Sequence, residues 1–228
     1  MENTLSINIK LNKNFIRQEK SIKDKQLITI CYLFFHTTCE HNIYTTINTM
    51  CNEMNLPTAS RNLKNNQFAI KEVLQTLVQD KIITILNCNN ILEVSNNELI
   101  KIYFNDYDQY INIASQYVML SLKEYNTILK CGDKAHKLLN LYCKIKSNIC
   151  MDDKCLHICY PSIKKICTDF KCSNKTFGML LKILYENNLI YVYHFEKNDT
   201  IKTYYGQIEY VFALEKYTKS EIKKEFMV

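Results

Sequence analysis

The chain has 228 residues, of which 47% are hydrophobic and 23% charged, and this composition excludes disorder for the bulk of it. Its formal charge of +6 favours an anionic partner without identifying one. Only three residues are glycine, which excludes a glycine-rich loop that cradles nucleotide phosphates, and no motif typical of an enzyme is present.

The first predicted elements, over residues 1–94, are a strand, three helices and a second strand. Leu5 to Ile9 alternates like a short strand, and Asp24 to Thr37 carries apolar residues at helical spacing. Two further helical patterns have their apolar positions at Ile47, Met50, Cys51 and Met54, and at Ile70, Val73, Leu74 and Leu77. The extra residues LPTASRNLKNN between them predict a lengthened turn, and the group ends in the strand IITIL.

The same order of elements returns after a connecting stretch at residues 95–132. That stretch has no linker rich in proline or glycine, so we expect a strand and a helix packed on their neighbours in one compact body. The apolar positions of three later helical patterns match those of the three earlier ones, and Tyr142 falls at the position of Tyr32. The later positions are Leu138, Leu141, Tyr142 and Ile145 in the first pattern, Ile163, Ile166, Cys167 and Phe170 in the second, and Phe177, Leu180, Leu181 and Leu184 in the third. Any two amphipathic helices can be aligned by their apolar stripes, but the shared order favours an internal duplication. The second copy is therefore expected at residues 133–216, followed by a tail at 217–228.

The clearest local signal lies between Tyr160 and Tyr193. Pro161 suits the first turn of a helix that ends near Phe170, and Ser173 is a favoured N-cap residue for the next helix. Two short helices joined in this way make a helix-turn-helix. The segment after them alternates like a strand, turns through Lys197 to Thr200 and returns, which predicts a β-hairpin.

Polar residues on the outward face of the third helix of each copy are the candidate DNA contacts. The start of such a helix meets base edges in the major groove, where Asn and Thr bond to bases or phosphates and Lys is attracted to the backbone. The candidates in the second copy are Ser173, Asn174, Lys175, Thr176, Met179 and Lys182, with Lys164 and Lys165 in the preceding helix and Lys197, Asn198 and Lys202 in the hairpin. Those in the first copy, chosen by position, are Lys64, Asn65, Asn66, Gln67 and Lys71.

This segment resembles the winged-helix domain of bacterial regulators and replication proteins, with its helix, turn, Ser-x-x-Thr, apolar helix ending in leucine and polar break before Leu-Ile. The repeated Ile-Asn-Ile, at Ile7 and again at Ile111, followed by an aromatic-rich helix, resembles plasmid and phage replication initiators with tandem winged helices. The resemblance implies an α+β, mainly α, fold with two winged-helix modules. It also implies binding to repeated origin sequences and recruitment of host replication proteins. The chain departs from the pattern in its scarcity of arginine and in the longer turn of its first copy.

The sequence therefore predicts a non-enzymatic protein without a cofactor that binds double-stranded DNA sequence-specifically in plasmid or phage replication initiation. Because only Arg17 and Arg61 are arginines, A·T-rich repeated sites are expected rather than arginine contacts to guanine. Transcriptional repression or partition is an alternative, with a homodimer where the target is a palindrome. An alternative of another class is a phage-type inhibitor that uses a winged-helix fold to bind a host protein.

The N-terminal residues and the cysteines bear on location and metal binding. The start of the chain has no apolar core typical of a signal peptide, and no run reaches the ~18 apolar residues of a membrane span. A cytoplasmic protein of a bacterial host cell is expected, with its eleven cysteines reduced. Zinc could be held by Cys150, Cys155, His157 and Cys159, but their spacing is not that of a common zinc finger. A structural, metal-free role is the prediction for these cysteines.

Overall fold

The protein combines helices with small antiparallel sheets, and it is therefore α+β, as its sequence predicted at this level. The computed structural model describes residues 7–13, 16, 25–57, 60–105, 107, 117–149, 158–159, 167–168, 172–197 and 200–206. In chain order the elements are β1 (Asn8–Asn12), α1 (Gln26–His36), β2 (Asn42–Thr45), α2 (Ile47–Glu53), α3 (Ser60–Gln79), β3 (Ile83–Ile85), β4 (Ile100–Phe104), β5 (Tyr117–Ser121), α4 (Leu122–Leu129), α5 (Ala135–Asn148), β6 (Ile158–Cys159), α6 (Asn174–Glu186), β7 (Tyr191–Lys197) and β8 (Thr200–Gly206).

The chain divides into two compact units, Met1–Cys143 and Lys144–Val228, which we call unit 1 and unit 2. The division falls inside α5, whereas the sequence-based division begins the second module at residue 133. The first part of α5 is tied to unit 1 because the Tyr142 hydroxyl donates a hydrogen bond to the Glu124 carboxylate of α4.

Helix α1 is the centre of unit 1 because it is apolar around most of its circumference. Every residue from Gln26 to Phe34 is buried, as expected for a helix without a polar face. Its hydroxyl groups are satisfied internally, since Tyr32 Oη lies 3.0 Å from Thr45 Oγ1 and Thr29 Oγ1 donates to the carbonyl of Lys25 at 2.8 Å. The other elements of unit 1 therefore pack around α1.

A three-stranded antiparallel sheet in the order β2-β4-β3 covers part of this core. Ile100, Ile102 and Phe104 of β4 are buried, and the intervening residues are more exposed, so one face of the strand meets the core. The sequence placed β4 in the connecting stretch, yet it pairs on both sides and is the central strand. One row of residues paired across the three strands consists of Asn42, Tyr103 and Thr84.

The rest of the connecting stretch also belongs to unit 1. Strand β5 pairs with β1, and α4 follows with a capping box in which Ser121 and Glu124 satisfy each other's backbone N–H groups. Helix α4 packs on α1 through the rings of Tyr125 and Phe35, whose centroids are 4.9 Å apart. The predicted strand and helix are thus confirmed. Strand β1, at Asn8–Asn12, overlaps the predicted strand Leu5 to Ile9 at its last two residues and continues to Asn12 through its pairing with β5, while Leu5 and Ser6 lie outside the described residues.

Helix α3 begins earlier than the sequence indicated. Ser60–Gln79 is one helix, so most of the segment expected as a lengthened turn is helical and that expectation is wrong. The Asn66 amide donates to the carbonyl of Pro57 at 3.0 Å, which satisfies a backbone group just before the helix. The extra residues therefore lengthen α3 toward its N-terminus rather than opening a loop.

Unit 2 has a three-stranded antiparallel sheet in the order β6-β8-β7. One of its rows joins Ile158, Gly206 and Tyr191. The predicted β-hairpin is confirmed by the pairing of β7 with β8, which runs from the Tyr191 and Gly206 pair to the Lys197 and Thr200 pair. Cys167 and Thr168 are helical, and α6 follows them. Helix α6 therefore lies between a helical segment and a hairpin.

Candidate nucleic-acid interface

The start of α6 is fixed by the side chain of Ser173. Its Oγ accepts a hydrogen bond from the backbone N–H of Thr176 at 3.1 Å and lies 3.0 Å from the Thr176 hydroxyl. This geometry confirms the predicted N-cap. The chain enters the cap through a turn in which the Cys172 N–H donates to the carbonyl of Cys167 at 3.0 Å. Both Ser173 and Thr176 are therefore committed in part to the cap.

The inward face of α6 is narrower than its sequence pattern suggested. Phe177, Leu180 and Leu184 are buried, whereas Leu181, also expected on the core, is half-buried. At 100° per residue Leu181 stands at the edge of the stripe formed by the other three. The expectation of a fully buried Leu181 is wrong for this reason.

The outward face of α6 carries the predicted polar residues. Asn174, Lys175, Met179 and Lys182 are exposed, and Thr176 is half-buried beside the cap. Lys175 and Lys182 are seven residues apart, so they share one side of the helix. The Lys182 ammonium lies 3.6 Å from a carboxylate oxygen of Glu186, and because both side chains are mostly exposed this ion pair is weak. Lys175 is in the first turn, next to the positive end of the helix dipole, and Lys182 lies two turns further along the same side.

In unit 1 the corresponding candidates are mostly unavailable to a partner. Lys64 and Asn65 are exposed on α3. Asn66, Gln67 and Lys71 are only 6%, 7% and 8% exposed, and each donates hydrogen bonds within the protein. Because these three side chains are buried and bonded within the protein, the expectation that they lie on an outward face of the helix is wrong.

For Lys71 directly, and for Gln67 through Asn48, the bonds lead to the connection between β3 and β4, residues 86–99, which folds back onto α2 and α3. The Lys71 ammonium donates to the carbonyls of Leu92, at 3.5 Å, and Val94. At the start of α2, the Asn48 N–H donates to the carbonyl of Asn96 at 3.0 Å. The Asn48 carboxamide oxygen accepts from Gln67, and its NH2 group donates to the side chain of Asn97. The connection therefore takes up the hydrogen-bonding groups of Asn48 and Lys71.

The remaining basic candidates are only partly covered by the described residues. Lys164, Lys165 and Asn198 lie outside them. Lys197 ends β7 and pairs with Thr200, so its backbone is at the end of the hairpin. Lys202 lies two pairs further along β8, opposite Phe195.

Of the four residues considered as possible zinc ligands, only Cys159 lies among the described residues. Cys150, Cys155 and His157 lie outside them. Cys159 is buried in β6, and its Sγ donates to the carbonyl of Ile145 at 3.6 Å. Burial raises the pKa of the Cys159 thiol to about 12. Within the described ranges, no group of three or more His, Cys, Asp or Glu side chains could hold a metal ion.

Three other thiols are buried on the apolar faces of helical segments, as the sequence predicted. They belong to Cys31, Cys51 and Cys167. Burial also raises the pKa of the Cys51 thiol to about 11, so this group stays protonated near neutral pH. A buried, protonated thiol packs as a small apolar side chain.

Gly178 is an outward residue of α6 that the sequence pattern did not single out. Gly178 is exposed, three residues after Lys175 and four before Lys182, and so it lies on the same side as both. Its helical spacing from the two lysines was the signal that could have identified it.

Among the described residues, the helices are too short or too polar for any of them to traverse a bilayer. The chain matches no protein-family model and no curated protein.

Proposed function

We propose that the protein binds double-stranded DNA sequence-specifically, without enzymatic activity, and that it is built from two winged-helix modules. The observation that carries the proposal is the exposed, lysine-bearing face of α6, which starts at a serine cap and is followed by a β-hairpin. A capped helix with a basic outer face beside a hairpin suits insertion into a major groove.

The sheets of the two units support an internal duplication. Both have the strand order first, third, second, counted along their own segment. Thr84 and Tyr191 correspond in the alignment of the two copies. Asn42 corresponds to Ile158, since each lies five residues before the matched positions Ile47 and Ile163. Asn42 lies in the row through Thr84 and Ile158 in the row through Tyr191, so the registers of these strands agree. Agreement in register is a stricter match than alignment of apolar stripes.

The ends of the third helices support the same interpretation. The Ile82 N–H donates to the carbonyl of Leu77 at 2.9 Å, and the Leu189 N–H donates to the carbonyl of Leu184 at 3.0 Å. In each case the residue before the donor has a positive φ, 58° at Lys81 after α3 and 54° at Asn188 after α6. Leu77 and Leu184 are matched positions of the two copies, so the same helix end recurs at the same place.

The second helical segments end alike as well. The Leu56 N–H donates to the carbonyl of Cys51 at 3.0 Å, and the Cys172 N–H donates to the carbonyl of Cys167 at the same distance. Cys51 and Cys167 are matched positions in the sequence alignment of the copies. The extra residues of the first copy therefore fall between two helix boundaries that are otherwise equivalent.

In the proposed complex, unit 2 places α6 in the major groove. Lys175 and Lys182 neutralise phosphates, and Asn174 reaches base edges near the helix start. The end of the hairpin at Lys197 follows the adjacent backbone or minor groove, where lysine suits A·T-rich sequence. Unit 1 offers Lys64 and Asn65 on α3, so its contacts with DNA are fewer.

A footprint on DNA from the protein's own operon tests the function and separates its biological settings. Protection of repeated A·T-rich sites is expected, since we propose replication initiation of a plasmid or phage with recruitment of host replication proteins. Protection of one palindrome over a promoter would instead indicate a dimeric repressor. Absence of protection at salt concentrations near physiological would contradict DNA binding and favour a protein-binding inhibitor.

A further inference from the structure

Gly178 is an exposed glycine in the middle of a helix, and nothing within the described protein requires a glycine there. Its backbone is helical, unlike that of Gly132, whose φ of 79° needs glycine. A Cβ built at Gly178 meets no atom within 4 Å in the described part of the chain. Glycine in a helix interior is less stable than alanine because it loses more backbone freedom on folding. The described part of the chain therefore gives no structural reason for a glycine at this position.

Gly178 lies on the side of α6 that faces away from the core. Phe177, Leu180 and Leu184 bury the opposite side of the helix. Lys175 lies about one turn before Gly178 and Lys182 about one turn after it, so the backbone between two basic side chains is bare. A partner drawn in by these charges can approach the helix axis more closely at Gly178 than at any residue with a side chain.

We propose that Gly178 is the point of closest approach between α6 and duplex DNA, and that it sets the depth at which the helix sits in the groove. This inference rests on the proposed DNA binding by unit 2. Lys175 and Lys182 extend past Gly178 to phosphates on either side of the groove. Because Gly178 has no side chain, the helix can come close enough to the DNA for both lysines to reach these phosphates. Gly178 is thus a positioning residue that makes no polar contact of its own.

The test is a series of side chains of increasing size at Gly178. The probe is a fluorescein-labelled duplex carrying the site that the wild-type full-length chain selects from a random-sequence DNA pool. Gly178→Ala should raise the melting temperature and yet weaken binding by on the order of 5- to 100-fold, the affinity equivalent of overpacking a tight contact. Gly178→Gln should weaken binding further.

A matched control is Asn126→Ala, which also introduces alanine, a better helix former, at an exposed helical position, but on α4. It should leave the affinity unchanged. Wild-type affinity in Gly178→Gln, with binding still weakened by Lys175→Ala, would overturn this inference and leave the proposed function standing. A lower melting temperature in Gly178→Ala would also overturn it, because the glycine would then have a structural role. Duplex binding that is absent, or indifferent to Lys175→Ala, would overturn both.

Discussion

Replacing the core-facing leucines of α3 and α6 with alanine tests how deeply each helix packs against the core of its unit. Leu74 and Leu77 of α3 are both 0% exposed, and so is Leu184 of α6, but Leu181, the counterpart of Leu74, is half-buried. Emptying a fully buried leucine site costs about 2–5 kcal/mol because a cavity is added to the lost transfer free energy. A half-buried leucine leaves no closed cavity, and about half of its transfer free energy, roughly 1 kcal/mol, is at stake.

We therefore expect Leu74→Ala, Leu77→Ala and Leu184→Ala to lower the free energy of unfolding by about 2–5 kcal/mol, and Leu181→Ala by about 1 kcal/mol. Urea unfolding followed by far-UV circular dichroism measures these differences, with the transition of each unit fitted separately. Leu74→Ala is the matched comparison for Leu181→Ala. Equal losses of unfolding free energy in these two variants would show that Leu74 and Leu181 are equally buried, which would refute the shallower packing of Leu181.

Three further predictions concern charges, the folded-back connection and the buried thiols. Glu186→Gln removes a carboxylate that pairs with Lys182 and repels phosphate, so duplex affinity measured by fluorescence anisotropy should rise about two- to fivefold, and unchanged affinity would count against a DNA-facing α6. Lys71→Met removes the hydrogen bonds that hold residues 86–99, so limited proteolysis there should accelerate; a wild-type cleavage rate would contradict that role. Because the folded-state pKa of Cys51 is raised to about 11, the native state holds this proton more tightly than the unfolded state. The free energy of unfolding should therefore fall between about pH 9 and pH 11, and this fall should be smaller in Cys51→Ala.

Local features of unit 2 were predictable because short-range chemistry determines them. Ser173 was predicted as an N-cap from its residue type and its place before an apolar helical pattern, and the structure confirms the bond to the Thr176 N–H. The hairpin turn was predicted between Lys197 and Thr200, where the strand pairing ends. Both signals lie within a few residues, so the sequence alone carries them.

Features that depend on distant partners were not predictable in this way. Lys71 looked like an exposed base, but it is buried because a connection more than twenty residues later folds over it. Strand β4 was placed in the connecting stretch because nothing near Ile100 indicates that it pairs on both sides. Leu181 matched Leu74 by spacing, yet its burial depends on what packs beside the helix. These outcomes depend on tertiary packing, which periodicity does not encode.

The most direct test of the account is the salt dependence of duplex binding when the two central lysines of α6 are removed. Lys175→Ala combined with Lys182→Ala is compared with Lys123→Ala combined with Lys130→Ala, a control that removes the same charge from exposed positions of unit 1. The account predicts that the α6 variant binds more weakly and loses about two units from the slope of log K against log salt, while the control keeps the wild-type slope. Wild-type affinity and slope in an α6 variant that melts normally would contradict the central claim.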